Sequence, residues 1–207
     1  VEEHSPEEEA ELGHDPILFV HGYKGNLKTF KTMVQRFEAD GWPASRLHNW
    51  AYNWIQSNAK SAEVIAEKVE KVLEVTGAAK VDIISHSMGG LPSRYYLKYL
   101  GGTAKVDEWV SLAGPNHGTR IAWFCSTTSC FEMRAGSQFL QELNAGNEAP
   151  GPTRYGTWRS ADDWVILPEA TVVVAGAEKN LQWLGLSHGD LHEDAGVYKE
   201  VREFVKF

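Results

Sequence analysis

The amino-acid sequence predicts an α/β fold, with about six mostly parallel strands and helices on both faces. Three observations carry this. Short apolar, β-branched runs alternate along the chain with segments of helical period, the pattern of a parallel sheet joined by right-handed crossovers. The 207 residues, 43% of them hydrophobic, suit one domain with a well-buried core and leave little room for a second. In mid-chain, Val81-Asp82-Ile83-Ile84 runs into Ser85-His86-Ser87-Met88-Gly89-Gly90 and directly into a helix-like segment, Leu91 to Leu100. That strand, sharp turn and helix would hold Ser87 at the tip of the turn above the sheet.

The elements follow in order. Pro16-Ile17-Leu18-Phe19-Val20 is short, apolar and opened by proline, and reads as a buried strand. Leu27 to Asp40 has helical spacing through Phe30, Met33, Val34 and Phe37, with Gly41 as its stop. Arg46 to Tyr52 is a second strand. Ser57 to Thr76 is a long helix whose apolar stripe is Val64, Ile65, Val69, Val72 and Leu73. Val81 to Ser85 and Val106 to Leu112 are the third and fourth strands. Thr153 to Trp158 and Ala170 to Ala175 are read as the fifth and sixth, and Val197 to Val205 as the closing helix. The connection from Ala113 to Pro152 is too long for a bare loop and predicts structure of its own, including a helix near Ser137 to Asn144.

The formal charge of −8 is concentrated at the start of the chain. Seven of the 28 acids lie in residues 1–15 with no Lys or Arg among them, which leaves 21 acids against 20 bases in the body. Residues 1–15 are therefore expected to be a solvated acidic arm, and residues 16–207 the folded domain. Nothing in the near-neutral body resembles a nucleic-acid footprint. No apolar run reaches the ~18 residues of a membrane span. The chain begins at Val1 without a signal-like segment and reads as a mature form whose export signal has been removed. Cys125 and Cys130 flank a polar turn and are expected to form a disulfide, which points to an oxidising compartment. They lack a second Cys/His pair suited to zinc, and no metal or other cofactor is implied.

A serine hydroxyl needs a base to become a nucleophile near neutral pH. Of eight histidines, His188 and His192 follow the last strand, where the order serine, acid, histidine would put the base. His188 is preferred because it lies in a loop, Gly185-Leu186-Ser187-His188-Gly189, whereas His192 is expected to begin the closing helix. The acid that orients the imidazole is sought after the fifth strand, where Asp162 and Asp163 are adjacent; the residue pattern leaves the two open. Two backbone N–H groups must face the developing oxyanion. Met88, after the serine, supplies one, and Tyr23, in the His21-Gly22-Tyr23 turn after the first strand, supplies the other.

With these residues in place the sequence resembles the small secreted bacterial lipases of the α/β-hydrolase fold, the lipase A type and its class 2 relatives. The likeness runs from about residue 16 to 200. Ile17-Leu18-Phe19-Val20-His21-Gly22 is similar to the family's oxyanion strand and loop, and Val81 to Gly90 to its nucleophile elbow. Ser160-Ala161-Asp162 resembles its acid loop and Gly185-x-x-His188-x-x-Leu191 its histidine loop. The resemblance implies a compact α/β-hydrolase that cleaves carboxylic esters through an acyl-enzyme, with Ser87, Asp162 and His188 as triad and Tyr23 and Met88 as oxyanion donors. A polyesterase or non-lipid esterase on the same triad is the alternative, and an inactive binding module a more distant one. The expected partner is an ester or lipid substrate, met by a secreted monomer in transient contact with a lipid interface.

Two departures stand out. Ser85 replaces the glycine usual before the nucleophile. The excursion 113–152, longer than in the minimal lipases, is expected to form a rim or lid beside the pocket. Trp54, Trp123, Phe124 and Trp164 are expected to line an acyl pocket, since they fall in or near strand-end loops.

Overall fold

The computed structural model describes residues 14–205, and the acidic arm falls outside them up to residue 13. The strands are β1 (Ile17–Val20), β2 (Leu47–Asn49), β3 (Val81–His86), β4 (Val106–Leu112), β5 (Arg154–Ser160) and β6 (Lys179–Trp183). They form one sheet in the order β2-β1-β3-β4-β5-β6, and every neighbouring pair is parallel. The helices are α1 (Lys31–Ala39), α2 (Asn58–Thr76), α3 (Gly90–Tyr99), α4 (Thr128–Glu132), α5 (Gln138–Asn144), α6 (Asp190–Glu193) and α7 (Ala195–Phe204).

A strand turns alternate residues to opposite faces, and here both faces are covered. Ile17 and Phe19 of β1, Ile84 of β3, Val110 and Leu112 of β4 and Trp158 of β5 pack against Met33 and Phe37 of α1 and Val197, Val201 and Phe204 of α7. Leu18, Val20, Val81, Ile83, Trp109 and Tyr155 point the other way, onto Ala62, Ile65, Val69 and Val72 of α2 and Tyr96 and Leu97 of α3. Each fully buried valine, leucine or isoleucine contributes roughly 1.5–3 kcal/mol relative to exposure.

Local signals set the helix ends. The Ser57 hydroxyl accepts from the Ala59 N–H at the start of α2, and Gly77, at φ 65°, donates to Leu73 O at its end. Helix α1 starts at Lys31 rather than Leu27, because Asn26 first closes a turn: its side chain accepts from Lys28 N–H and its carbonyl from Thr29 N–H. Of the arm's last two residues, His14 stacks on Trp42 at 3.9 Å, and burial, with Asp107 beside it, raises the Asp15 carboxyl to about 6.

The sixth strand is not Ala170–Ala175. That segment begins with a 3-10 turn, Glu169–Val172, and two of its three valines, Val172 and Val174, are fully buried in the core without being sheet residues. Both the Val174 N–H and C=O bond the Asn180 side chain, which replaces a strand partner. The edge position is taken by Lys179–Trp183, whose residues are half-buried or exposed. As expected, Cys125 and Cys130 form a disulfide. No helix among the described residues is long and apolar enough to cross a membrane.

Candidate active site

Ser87 stands at the carboxyl end of β3, where ligands of parallel sheets gather. Its φ of 54° is a left-handed value uncommon outside glycine, as expected where a strand must turn directly into a helix. The turn is possible because its neighbours have no bulk. A Cβ on Gly89 would lie 2.3 Å from Val20 O, and one on Gly22 would lie 2.7 Å from Ser87 Cβ. Ser85 is accommodated in place of glycine because its hydroxyl donates to Val110 O on β4, 2.8 Å away. No buried polar group is left unpaired by the change.

The loop after β1 is fixed by His21. The Tyr52 N–H donates to His21 Nε2 at 3.3 Å, so the ring proton sits on Nδ1, which donates to Gly22 O at 2.9 Å. The Tyr52 hydroxyl also donates to His21 O. Burial lowers the pKa of His21; it is a neutral structural brace that presents Gly22 and Tyr23 to Ser87. Tyr23 lines the cleft together with Ser87, and Met88 is fully buried behind the serine.

The carboxylate that the structure brings to His188 belongs to Asp163, not Asp162. His188 Nδ1 lies 2.8 Å from Asp163 Oδ2, and the Asp163 side chain is 1% exposed. Its other oxygen accepts from the N–H groups of Val165 and Ile166, which turns the side chain inward. Asp162 points outward and accepts from Gly185 N–H at 2.6 Å. His192 lies in α6, with its ring 4.5 Å from that of His86, and the carboxylate near its Nδ1 is that of Glu193, 3.5 Å away. Desolvation lowers its pKa.

The cleft over Ser87 has a volume of ≈ 240 Å³ and is walled by Thr119, Ile121, Phe124, Met133, Val165 and Ile166, among others. Of the four aromatics expected there, only Phe124 lines it. Trp54 sits behind, edge-on to Tyr23 at 4.7 Å. Trp123 is 63% and Trp164 78% exposed on the surrounding surface. Residue type identifies apolar surface but not the direction it faces, and Thr119, Val165 and Ile166 carried no sequence signal at all. A larger hollow of ≈ 390 Å³ between α2, α4 and α5 contains none of the groups around Ser87.

The excursion is braced within itself by Arg134 and fastened to the body through Ser129 and Glu132. The Arg134 side chain donates to Ala122 O and Cys125 O and lies over the rings of Trp123 and Phe131 at 4.5 and 4.4 Å. The Ser129 hydroxyl donates to Trp54 O, and Glu132 accepts from both Asn58 N–H and its side chain at the start of α2. Among the described residues no group of three His, Cys, Asp or Glu is arranged to hold a metal ion.

Comparison with known proteins gives the chain a family and a fold. Residues 14–189 match the family Lipase (class 2), a span that includes Ser87, Asp163 and His188. A triacylglycerol lipase of Vibrio cholerae is 35% identical over 113 residues, 52% of this chain and 34% of that one. Lecithin-cholesterol acyltransferase-like 4 of Arabidopsis thaliana is 31% identical over 88 residues, 39% of this chain and 16% of that protein. The matches thus span about a third or less of the length of these curated relatives. The mature form of Bacillus licheniformis lipase BlEst2 superposes with a TM-score of 0.80 at 16% identity, covering 92% of this chain and 91% of that one. Aspergillus fumigatus lipase B gives 0.79 at 15% identity, covering 92% and 52%. At such identities the two structures establish the α/β-hydrolase fold, while the family match over most of the sequence carries the assignment: the chain belongs to the class 2 lipase family.

Proposed function

We infer that the protein is a carboxylic ester hydrolase working through an acyl-enzyme, with Ser87 as nucleophile, His188 as base and Asp163 as the orienting acid. The observation that carries this is the contact of half-buried His188 with buried Asp163 at 2.8 Å, in a loop whose main chain is bonded by His86 beside Ser87. Ser87 Oγ attacks the ester carbonyl while His188 Nε2 takes its proton. The carbonyl oxygen becomes an oxyanion held by the N–H groups of Tyr23 and Met88, each worth roughly 3 kcal/mol in the transition state. His188 then protonates the leaving alcohol, and water repeats the cycle to release the acid. Asp163 holds the imidazolium that forms twice per turnover. The sequence called for an acid in this loop, and the 2.8 Å contact favours Asp163 over Asp162 for that role.

The substrate is an apolar ester with a short acyl chain. A cleft of ≈ 240 Å³ falls below the ~300–1,000 Å³ of sites that enclose drug-sized ligands, and its walls are mostly apolar. The exposed Trp123, Phe124, Trp164 and Leu184 favour a second reading, a polyesterase, because a polymer chain needs an open apolar surface beyond the cleft. The disulfide supports a working place outside the reducing cytosol. Hydrolysis of p-nitrophenyl esters of increasing chain length, beside a polyester film, tests both readings. Ser87→Ala is expected to abolish turnover and labelling by a serine-directed phosphonate; retention of more than about a tenth of wild-type turnover overturns the assignment. A wild-type protein that hydrolyses no ester and takes no phosphonate is a binding module.

A further inference from the structure

We propose that His86 is a positioning residue: by donating its Nε2–H to the backbone carbonyl of His188, it fixes the loop that carries the base. The inference rests on the ester-hydrolase reading above and adds to it a residue outside the triad.

His86 is the last residue of β3, immediately before Ser87, and is 7% exposed. Its Nε2 lies 2.9 Å from His188 O. A carbonyl only accepts, so Nε2 carries the hydrogen, and a neutral ring then has none on Nδ1. Neutrality follows from the surroundings. Burial first, then the rings of His188 and His192, hold the His86 pKa well below the ordinary histidine value, with His21 adding to the effect.

The His188 loop needs such an anchor. Around it, Ser187 N–H and Asp190 N–H bond within the loop, and Gly185 N–H bonds Asp162, all at the exposed surface. Asp163 holds the far side of the His188 ring but does not fix the main chain from which the ring hangs. His86 does, and from the strand that also carries the nucleophile. Base and serine are thereby referenced to the same rigid element, which matters because a misplacement of about 1 Å can cost on the order of 10²-fold in rate.

The same contact sorts the protons. Three imidazoles meet here, with His86 4.7 Å from His188 and 4.5 Å from His192. Among them only His188 faces a buried carboxylate; the Glu193 carboxylate near His192, 3.5 Å away, is 46% exposed. Of the three rings it is thus His188 that has a buried carboxylate to pair with when it takes the proton of Ser87.

The test uses His86→Phe, which keeps a ring without a donor, and His86→Gln, which keeps an N–H at similar reach. Imidazole NMR supplies a readout independent of turnover. In the wild type, ¹⁵N shifts should give the Nε2–H tautomer for His86, and the His188 Nδ1–H shared with Asp163 should give a downfield proton. That proton should broaden or vanish in His86→Phe and return in His86→Gln. In parallel, kcat on a short p-nitrophenyl ester should fall about 10²-fold in His86→Phe with KM changed less than twofold, and recover most of the loss in His86→Gln. An Nδ1–H tautomer in the wild type overturns the proposal. So does a downfield proton and kcat unchanged in His86→Phe, or equal loss in both variants, which would make the residue a matter of ring packing. A wild type that shows the NMR pattern but no ester turnover refutes the hydrolase reading and leaves the positioning role standing.

Discussion

Asp163→Asn changes one atom beside His188 and almost nothing else. The side-chain oxygen that accepts from Val165 and Ile166 N–H is retained, so the loop should keep its shape. The oxygen 2.8 Å from His188 Nδ1 becomes an NH₂ group. Two donors then face each other, and the ring escapes by moving its proton to Nε2 so that Nδ1 accepts. That tautomer cannot take the proton of Ser87, and the anion that would balance the imidazolium is gone as well. The expected loss in kcat is about 10⁴-fold, or roughly 5 kcal/mol at 1.36 kcal/mol per decade. Asp162→Asn supplies the control. Its carboxylate is exposed and accepts from one N–H of Gly185, which an amide oxygen can also do, so the loss should stay under about 1 kcal/mol. Steady-state kinetics on a short p-nitrophenyl ester, with melting curves to show that both variants fold, decide the matter. A larger loss in Asp162→Asn, or more than a tenth of wild-type kcat in Asp163→Asn, refutes the reasoning.

Two further outcomes can be measured. At the opposite end of the sheet Asp82 and Glu108 are 1% and 2% exposed, with Asp15, Asp107, Arg46, Lys80 and Arg154 around them. Burial, then Glu108, pushes the Asp82 carboxyl well up, so its stabilising effect is complete below the unfolded value near 3.8 and is lost as pH rises through the folded value. Unfolding free energy, and with it the melting temperature, should therefore fall as pH rises above about 4, by at most roughly 1.4 kcal/mol per pH unit. Asp82→Asn, which mimics the protonated acid, should flatten the profile, and an unchanged slope would show that the acid is not protonated in the fold. Cys125→Ser opens a loop with a sequence separation of 5, worth roughly 2 kcal/mol on the chain-entropy model. Because Arg134 still braces the excursion from within and Ser129 and Glu132 still tie it to Trp54 and Asn58, it should lower the melting temperature by a few degrees and leave hyperbolic kinetics on a soluble ester. A sharp rise in rate at the substrate's solubility limit, weakened in this variant, would make residues 113–152 a lid instead of a fixed rim.

The sequence was most readable where local chemistry and tertiary position ask for the same residues. β1 and β3 are buried on both faces, so they are short apolar runs, and the tight turn at Ser87 demands small neighbours. Helix α2 shows its stripe because one side alone meets the sheet. The edge strand β6 was missed for the converse reason. Lys179-Asn180-Leu181-Gln182-Trp183 is only half-buried, whereas Ala170-Thr171-Val172-Val173-Val174-Ala175 has the better strand composition. Val172 and Val174 are buried in the core instead, with Asn180 standing in for a ladder at Val174. The choice between Asp162 and Asp163 depended on which carboxylate the backbone turns inward, and adjacent identical residues carry no mark of that. The aromatics failed similarly: Trp123 and Trp164 are as apolar as Phe124, and only the path of the chain shows which one reaches the cleft.

The placement of β1 has a consequence for the order in which the chain can assemble. Its neighbours are β2 on one side and β3 on the other, with Ile17 opposite Leu47 and Asp82. During synthesis this apolar strand precedes the other five of its sheet, yet must wait until residue 86 is available before both of its edges can be paired. For all that time it is an unsatisfied template, open to the wrong neighbour. Parallel pairings of such separation also pay their closure entropy before any contact rewards them. The strand that positions the oxyanion loop is thus the one whose completion waits longest on the chain that follows it.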